Sequence, residues 1–437
     1  MTATTTATPP PEVRDERVAR VGFWRRLLLK PEFGSLIGAL VVFVFFATQS
    51  SVFWHASGVA NWLDPASTYG IMAVVVALLM IGGHFDLSAG VQLGTAGLTT
   101  AILTTEYNLV VWVAMLVSLA VCLGLGFLNG YLVIRTGLPS FIITLSTFLM
   151  IQGLNLGLTK AITNTVSVGG IDQEPYFGGP EKIFASQVTL FGQKYYIAIL
   201  WWVVFTIVAT YVLMKTRFGN WIFAVGGDET ASRNVGVPSN RTTIALFMIV
   251  SFAAWFVGQI YLFRLTSIQA NAGFGFELIY IAAAVIGGCL LTGGYGSAIG
   301  ASIGALLIGM TSQGIVYAGW NADWFKFFLG AMLLLAVLAN QYVRRFAEQT
   351  RSGLGITGSQ QRKGAQQAPV ARELGLTAQA RLDVARRFGI GELIVVDQSR
   401  QQRGDVITQH ELRLLRHRAH RAACGDRGAI APWPRRP

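Results

Sequence analysis

Two acidic residues stand where an apolar chain has little room for charge. Asp86 lies in GGHFDLSAG and Glu277 in NAGFGFELI, each after glycine and before an apolar run. A carboxylate at membrane depth is costly and by default marks a functional position. Each also has a structural reading. Asp86 with Ser88 can cap the next helix by accepting backbone N–H bonds, and Glu277 can sit in a helix's first turn near the outer surface. Capping does not exclude a role in shaping a pathway. Asn129, Gln152, Asn155, Gln259 and Asn271 are further polar positions in or near apolar runs, each weak alone. Other chemistry is missing. There is no G-x-x-x-x-G-K-[ST] phosphate loop, and GGPEKIF at Gly178 lacks its spacing and its hydroxyl. There is no HExxH, no pair of carboxylates on one helix and no Gly-x-Ser-x-Gly elbow. His55, His84, His410, His417 and His420 form no cluster, and Cys122, Cys289 and Cys424 have no metal or redox spacing. A metal, nucleophile or cofactor site is therefore not expected, which disfavours an enzyme.

The elements that must position these residues are helices in a membrane. The chain is 53% hydrophobic and 13% charged, with mean hydropathy +0.51, whereas a soluble domain carries about 25% charged residues. Apolar runs of about twenty residues predict an all-α, multi-spanning membrane protein. The ten-residue alternation of a barrel is missing. The predicted spans are about 36–54, 67–83, 89–105, 109–134, 139–159, 195–214, 242–263, 277–292, 296–318 and 323–343. Residues 1–35 form an N-terminal tail, 36–345 the transmembrane domain and 346–437 a basic tail.

Charge sets the expected orientation. Residues 1–30 hold six Lys/Arg against three acids, 31–343 ten against eleven, and 344–437 eighteen against eight. Such basic flanks suit an anionic cytoplasmic leaflet, although a basic tail could also touch nucleic acid; no nucleic-acid partner is expected here. Ten spans place both termini in the cytoplasm. Arg135, Lys215, Arg217, Arg344 and Arg345 then all fall at cytoplasmic ends. The tail's only strand-like run is GELIVVDQS, Gly391–Ser399; the tail reads as disordered or spurious.

Two spans are interrupted. IGGHFDLSAGVQLGTAG and IGGCLLTGGYGSAIGASIGALLIG each break at glycine, beginning at Ile81 and Ile286. Interrupted segments placed once in each half point to a transport pathway, here Gly82, Gly83, Asp86, Ser88, Asn271, Glu277, Gly287 and Gly288. Close helix packing is the other reading, and it is favoured for GASIGALLIG. Between spans six and seven lies a polar island, AVGGDETASRNVGVPSNR. Val225-Gly226-Gly227 reads as a turn. Asp228 can cap a short helix through Asn234, and Gly236 and Pro238 can end it. It is either a docking surface or a plain structured loop.

TRFGNWIFAVGGDETASRNVGV, GGHFDLSAG, LPSFIITLSTF and IAAAVIGGCLLTGGYGSAIGASIGALLIG together resemble the membrane permease subunit of ribose/xylose-type ABC sugar importers, over roughly 36–345. The resemblance implies a dimer of permease subunits in the bacterial plasma membrane, a separate cytoplasmic ATPase and an external sugar-binding protein. ATP would be used by the partner subunit. The island is similar to the family's coupling helix, which implies an ATPase-coupling role for Gly226, Gly227, Asp228, Glu229, Ala231, Ser232, Arg233 and Gly236. The family usually reads GGNEEAARLSGI there. Glu229, Ala231, Arg233 and Gly236 are kept. Asp228, Thr230, Ser232 and Asn234-Val235 depart from the pattern, which suggests a dedicated ATPase with its choice written at Thr230, Ser232 and Asn234. The family's Gly-Gly-Ile-Asp-Leu-Ser has His84-Phe85 before Asp86 here. The solute implied is a monosaccharide or sugar-like polyol. A nucleoside or autoinducer on the same fold, or an ion-coupled transporter, are the rival readings.

Overall fold

A computed structural model describes residues 31–352 except Phe191, with side chains described from Glu32 to Leu338. GELIVVDQS, Cys424 and His410, His417 and His420 lie outside the described residues. Each of the ten expected spans meets a helix. These are α1 (Pro31–Gln49), α2 (Ala56–Ile81), α3 (Ala89–Thr105), α4 (Val111–Thr136), α5 (Ser140–Thr163), and, after a short α6 (Gly178–Phe184), α7 (Ala198–Lys215). Two small helices follow, α8 (Arg217–Gly227) and α9 (Glu229–Asn234). Then come α10 (Ser239–Leu265), α11 (Phe276–Ile286), α12 (Ala298–Tyr317) and α13 (Phe325–Ser352).

Seven of these helices are long and apolar enough to cross a membrane: α1, α2, α4, α5, α7, α10 and α12. Helices α3 and α11, at 17 and 11 residues, are different. At 1.5 Å per residue they reach about 25 and 16 Å, short of a hydrocarbon core of about 30 Å. Non-helical chain adjoins each, residues 82–88 before α3 and 287–297 after α11. Such backbone is tolerated at membrane depth only against protein or a watery cavity.

Several boundaries differ from the sequence-based expectation. Helix α1 begins at Pro31 rather than 36, and α2 at Ala56 rather than 67, so α2 takes in Asp64 and Pro65. Helix α11 stops at Ile286 rather than 292, because the following glycines end it.

Helix α2 is the core. Every residue from Ile71 to Ile81 is buried, and α12, α10, α7 and α11 pack around it. The small residues of GASIGALLIG serve this packing. A Cβ on Gly300 or Gly304 would overlap the carbonyl oxygens of Gly287 and Ala283 on α11 and its C-terminus. By contrast α4, α5 and α7 leave most of their apolar surface uncovered. Cys122 and Cys289 are buried free thiols, as expected of small apolar side chains. The long segment after α5 carries β1 (Ser167–Gly169), α6, β2 (Gln187–Leu190) and β3 (Gln193–Tyr196). Strand β1 pairs antiparallel with β4 (Ser267–Gln269), Ser167 opposite Gln269, and β2 pairs with β3. Strand β4 and α9 lie at opposite ends of α10.

Candidate transport site

Both breaks are built the same way. At the end of α2, Gly83 N–H donates to the Met80 carbonyl (2.9 Å) and His84 N–H to that of Leu79 (3.1 Å). At the end of α11, Gly288 N–H donates to Val285 (2.9 Å) and Cys289 N–H to Ala284 (3.0 Å). This is the paired-bond helix stop that needs a left-handed residue after the cap. Gly83 and Gly288 supply it, with φ of 85° and 92°. The repeated Ile-Gly-Gly is therefore two copies of one stop signal.

Past the first break the chain runs without helix to Ser88, where α3 begins. Asp86 Oδ1 accepts from the Ser88 amide (2.8 Å) and from the Ser88 hydroxyl (2.5 Å). Ser88 Oγ in turn accepts from Gln92 Nε2 (2.8 Å) and Asn129 Nδ2 (2.9 Å). All four side chains are buried. The expected helix cap is corrected in detail. Ser88 occupies the cap position but its side chain makes no cap bond. Asp86 closes a turn two residues ahead instead, since the Asx turn is the nearer partner for its carboxylate. Asp86 Oδ2, Gln92 Oε1 and Asn129 Oδ1 are buried acceptors without a hydrogen-bond partner among the described residues.

The second half-helix starts beside the first. A Cβ on Gly90 would overlap the Glu277 carboxylate and lie 3.0 Å from its amide nitrogen, and one on Gly94 would lie 2.5 Å from the Ala272 carbonyl. The N-terminal ends of α3 and α11 thus meet inside the protein. Their positive dipole ends converge there, with one carboxylate at each. Glu277 is in its helix's first turn as expected, and it is buried, only 7% exposed. Asn271 stays on an exposed turn, its carbonyl accepting from Phe274 N–H at 3.2 Å. The predicted pathway residues therefore divide. Gly82, Gly83, Gly287 and Gly288 mark the two helix stops, Asp86, Ser88 and Glu277 lie in the interior, and Asn271 stands apart.

The polar island forms two helices rather than a turn and one. The Thr216 hydroxyl accepts from Gly219 N–H (3.1 Å) and starts α8, whose last turn is Val225-Gly226-Gly227. Gly226 is there for closeness, not for a bend. A Cβ on it would overlap the Ile81 carbonyl oxygen and lie 2.7 Å from Gly294 N. Asp228 caps α9 as expected, its Oδ1 accepting from Ala231 N–H at 2.9 Å. Glu229 pairs with Arg233 at 2.5 Å, and Gly236, at φ 84°, ends the helix. Asp228, Glu229, Thr230, Ala231, Arg233 and Asn234 are exposed. Ser232 is not: it is buried and bonded to Ser239 Oγ (3.0 Å) and the Glu229 carbonyl (2.8 Å). It ties α9 to the start of α10, so it offers no surface on which partner choice could be written. Val235, 79% exposed, does offer one. Its signal in the sequence was an apolar residue at the end of a polar helix.

Three backbones meet at Gly226. Gly294 N–H, in the loop after α11, donates to the Ile81 carbonyl at 2.8 Å. A Cβ on Gly293 would lie 2.7 Å from Gly83 Cα and 2.8 Å from the Gly226 carbonyl. The end of α8 thus touches the first helix stop and, at Gly293 and Gly294, the loop that follows the second, with no side chain between. His84 joins the same junction to α10 through Thr243 Oγ1 at 3.2 Å.

Residues 58–337 match the family described as "Branched-chain amino acid transport system / permease component". The chain is 33% identical to the ribose import permease protein RbsC of Escherichia coli K12, over 309 residues that cover 70% of this chain and 92% of that protein. The chain belongs to the permease family of ABC importers. It is 32% identical over 310 residues to the probable ABC transporter permease protein y4mJ of Sinorhizobium fredii, covering 70% of this chain and 89% of that one. It is 30% identical over 315 residues to the galactose/methyl galactoside import permease protein MglC of Haemophilus influenzae, covering 68% and 90%. No solved structure is a significant match. An ABC permease component has no ATPase site of its own, in keeping with a chain that lacks a phosphate loop.

This permease also holds a charge pair that sequence reasoning missed. Asp64, on α2, and Arg264, in the last turn of α10, form a two-pronged ion pair. Arg264 also lies over the Tyr196 ring, 3.9 Å from its centroid. Asp64 looked like a loop residue because Pro65 follows it, and the apolar run starts only after both. Among the described residues no group of His, Cys, Asp and Glu could hold a metal ion.

Proposed function

We propose that this chain is the membrane subunit of an ATP-driven importer for a monosaccharide or sugar-like polyol. In this reading the face bearing α8 and α9 is cytoplasmic, as the basic residues Arg135, Lys215 and Arg217 at the helix ends near it favour. Both termini are then cytoplasmic too, and residues 346–437 are a separate basic tail. Helix α9 docks on a separate ATPase through Asp228, Glu229, Ala231 and Arg233, while Ser232 and Gly236 hold its shape. An external binding protein delivers the solute at the opposite face. The uncovered apolar faces of α4 and α5 receive lipid and a second permease subunit.

The observation that carries the reading is the backbone junction at Gly226. A push on α9 passes through the end of α8 to Ile81, Gly83 and Gly293, so ATPase closure can move the first helix stop and the loop after the second together. Helix α3, which follows the first stop, and helix α11, which precedes the second, meet with their N-terminal ends at Asp86, Ser88 and Glu277. Unpartnered acceptors there suit brief contacts with hydroxyl groups passing by. The similarity to ribose and galactoside import permeases supports the sugar class.

The description of the matched family favours a second solute, a branched-chain amino acid. Uptake by cells carrying this permease with its ATPase and binding protein separates the two. Uptake of one labelled pentose or hexose, unaffected by excess L-leucine, is the expected result. Uptake of L-leucine with no sugar taken up refutes the sugar reading.

A further inference from the structure

On the side of the molecule away from α9, between α2, α10 and α12, lies a cavity of about 330 Å³. That is within the size range of small-molecule sites and large enough for a monosaccharide. Its walls carry Asn61, Asp64, Thr68, Tyr261, Arg264 and Gln313. Few of these are what a lipid-facing groove or a packing defect would hold.

We propose that this cavity is a binding site for a neutral polyhydroxylated solute, with Asn61, Asp64, Arg264 and Gln313 supplying its hydrogen bonds and Tyr261 its apolar wall. The proposal rests on the sugar-importer reading and names a place where the solute is held within the permease.

Three observations carry it. First, the charges are matched and fixed. Arg264 is held by the Asp64 carboxylate on one edge and the Tyr196 ring on one face. A closed ion pair still has carboxylate lone pairs and guanidinium N–H groups to offer, but it has no net charge to attract an ion. An acceptor beside a donor is the arrangement that neighbouring hydroxyls of a polyol can satisfy. The paired charges leave little net field to draw in the charged ends of a zwitterionic amino acid.

Second, the flanking groups include two neutral amides. Asn61 is positioned by Tyr317, its Nδ2 donating to the phenol oxygen at 2.6 Å. Gln313 lines the cavity from α12, one turn before Tyr317. Pro65 has no N–H for the Asn61 carbonyl four residues back, so the helix there lacks one of its own bonds. Each of these groups both gives and takes hydrogen bonds, which suits hydroxyls.

Third, the cavity adjoins the interior break. Tyr261, on its wall, lies 6.1 Å ring to ring from Phe276, the first residue of α11. Tyr69 packs edge-on to the same Phe276 at 5.7 Å. The next residue is Glu277, at the meeting of the half-helices. A solute leaving the cavity past Phe276 enters the place where helix dipoles and unpartnered acceptors converge.

The test is saturation-transfer NMR on the purified full-length permease in lipid nanodiscs, with D-ribose, D-xylose, D-galactose and myo-inositol at millimolar concentration and L-leucine as the rival probe. At least one polyol is expected to give a signal and L-leucine none. Asn61→Leu and Gln313→Leu keep the ion pair and nearly the volume; each is expected to weaken that polyol's binding about tenfold, since a hydroxyl loses a hydrogen-bond partner. Both variants are checked for a single monodisperse species and an unchanged thermal midpoint. No signal from any polyol, or a polyol signal unchanged in both variants, overturns the site. Uptake assays tell this failure from that of the sugar reading: normal sugar uptake in both variants sinks only the cavity, whereas a wild-type protein that imports L-leucine and no sugar sinks both.

Discussion

Gly226 and Gly227 are adjacent, and the structure gives them opposite fates as alanines. A methyl at 227 meets nothing within 4 Å. A methyl at 226 meets only backbone: the Ile81 carbonyl oxygen, its carbon at 2.8 Å and Gly294 N at 2.7 Å. No flexible side chain can give way there. Forcing a methyl into a packed contact costs about 1–3 kcal/mol. The Gly294-to-Ile81 hydrogen bond it would displace adds about 1 kcal/mol. The closed junction is then disfavoured by about 2–4 kcal/mol, roughly 30- to 700-fold in its equilibrium. Gly227→Ala should change stability by less than about 0.5 kcal/mol. The assay is solute uptake by proteoliposomes holding each variant with its ATPase and binding protein, beside ATP hydrolysis by the same vesicles. Gly226→Ala should retain membrane insertion and ATPase association but lose at least about tenfold in uptake per ATP hydrolysed. Gly227→Ala should behave as wild type. Full coupling in Gly226→Ala, or equal damage in both, would refute the junction as the mechanical link.

Three further perturbations probe the parts around it. Asp228→Ala removes the cap bond to Ala231, which costs α9 about 1 kcal/mol; ATPase association measured by pull-down titration should weaken about fivefold and return with Asp228→Ser. Ser88→Ala leaves the buried amides of Gln92 and Asn129 without their acceptor, at about 1–3 kcal/mol each; the thermal midpoint in nanodiscs should fall, and an unchanged midpoint would mean that the network is not closed as described. A chain ending at residue 352 should insert and transport like the full chain, because every contact of the junction lies before it; an inserted but inactive truncation would show that the tail takes part.

The parts legible in the sequence are those whose cause is local. Ile-Gly-Gly marked both helix stops, since glycine takes the left-handed conformation at Gly83 and Gly288 without steric cost. Asp228 and Gly236 delimited α9, because cap and stop lie within the same few residues. The ten helical segments followed from apolar run length. What was not legible depends on distant partners. Gly226 reads as a turn until Ile81 and Gly294 are brought against it. Ser232 reads as surface until Ser239 folds back onto it. Glu277 reads as a surface cap until Gly90 of α3 is brought against its carboxylate. Asp64 lies outside any apolar window, and its partner Arg264 is two hundred residues away.

In the proposed mechanism ATPase closure drives the first helix stop, and the loop after the second, through Gly226. The most direct measurement is labelled-sugar uptake by proteoliposomes holding the wild-type permease, its ATPase and its binding protein, with ATP, with a non-hydrolysable analogue, or with a proton or sodium gradient alone. The account predicts uptake against a concentration gradient with ATP only. Uptake driven by an ion gradient in the absence of ATP would contradict it.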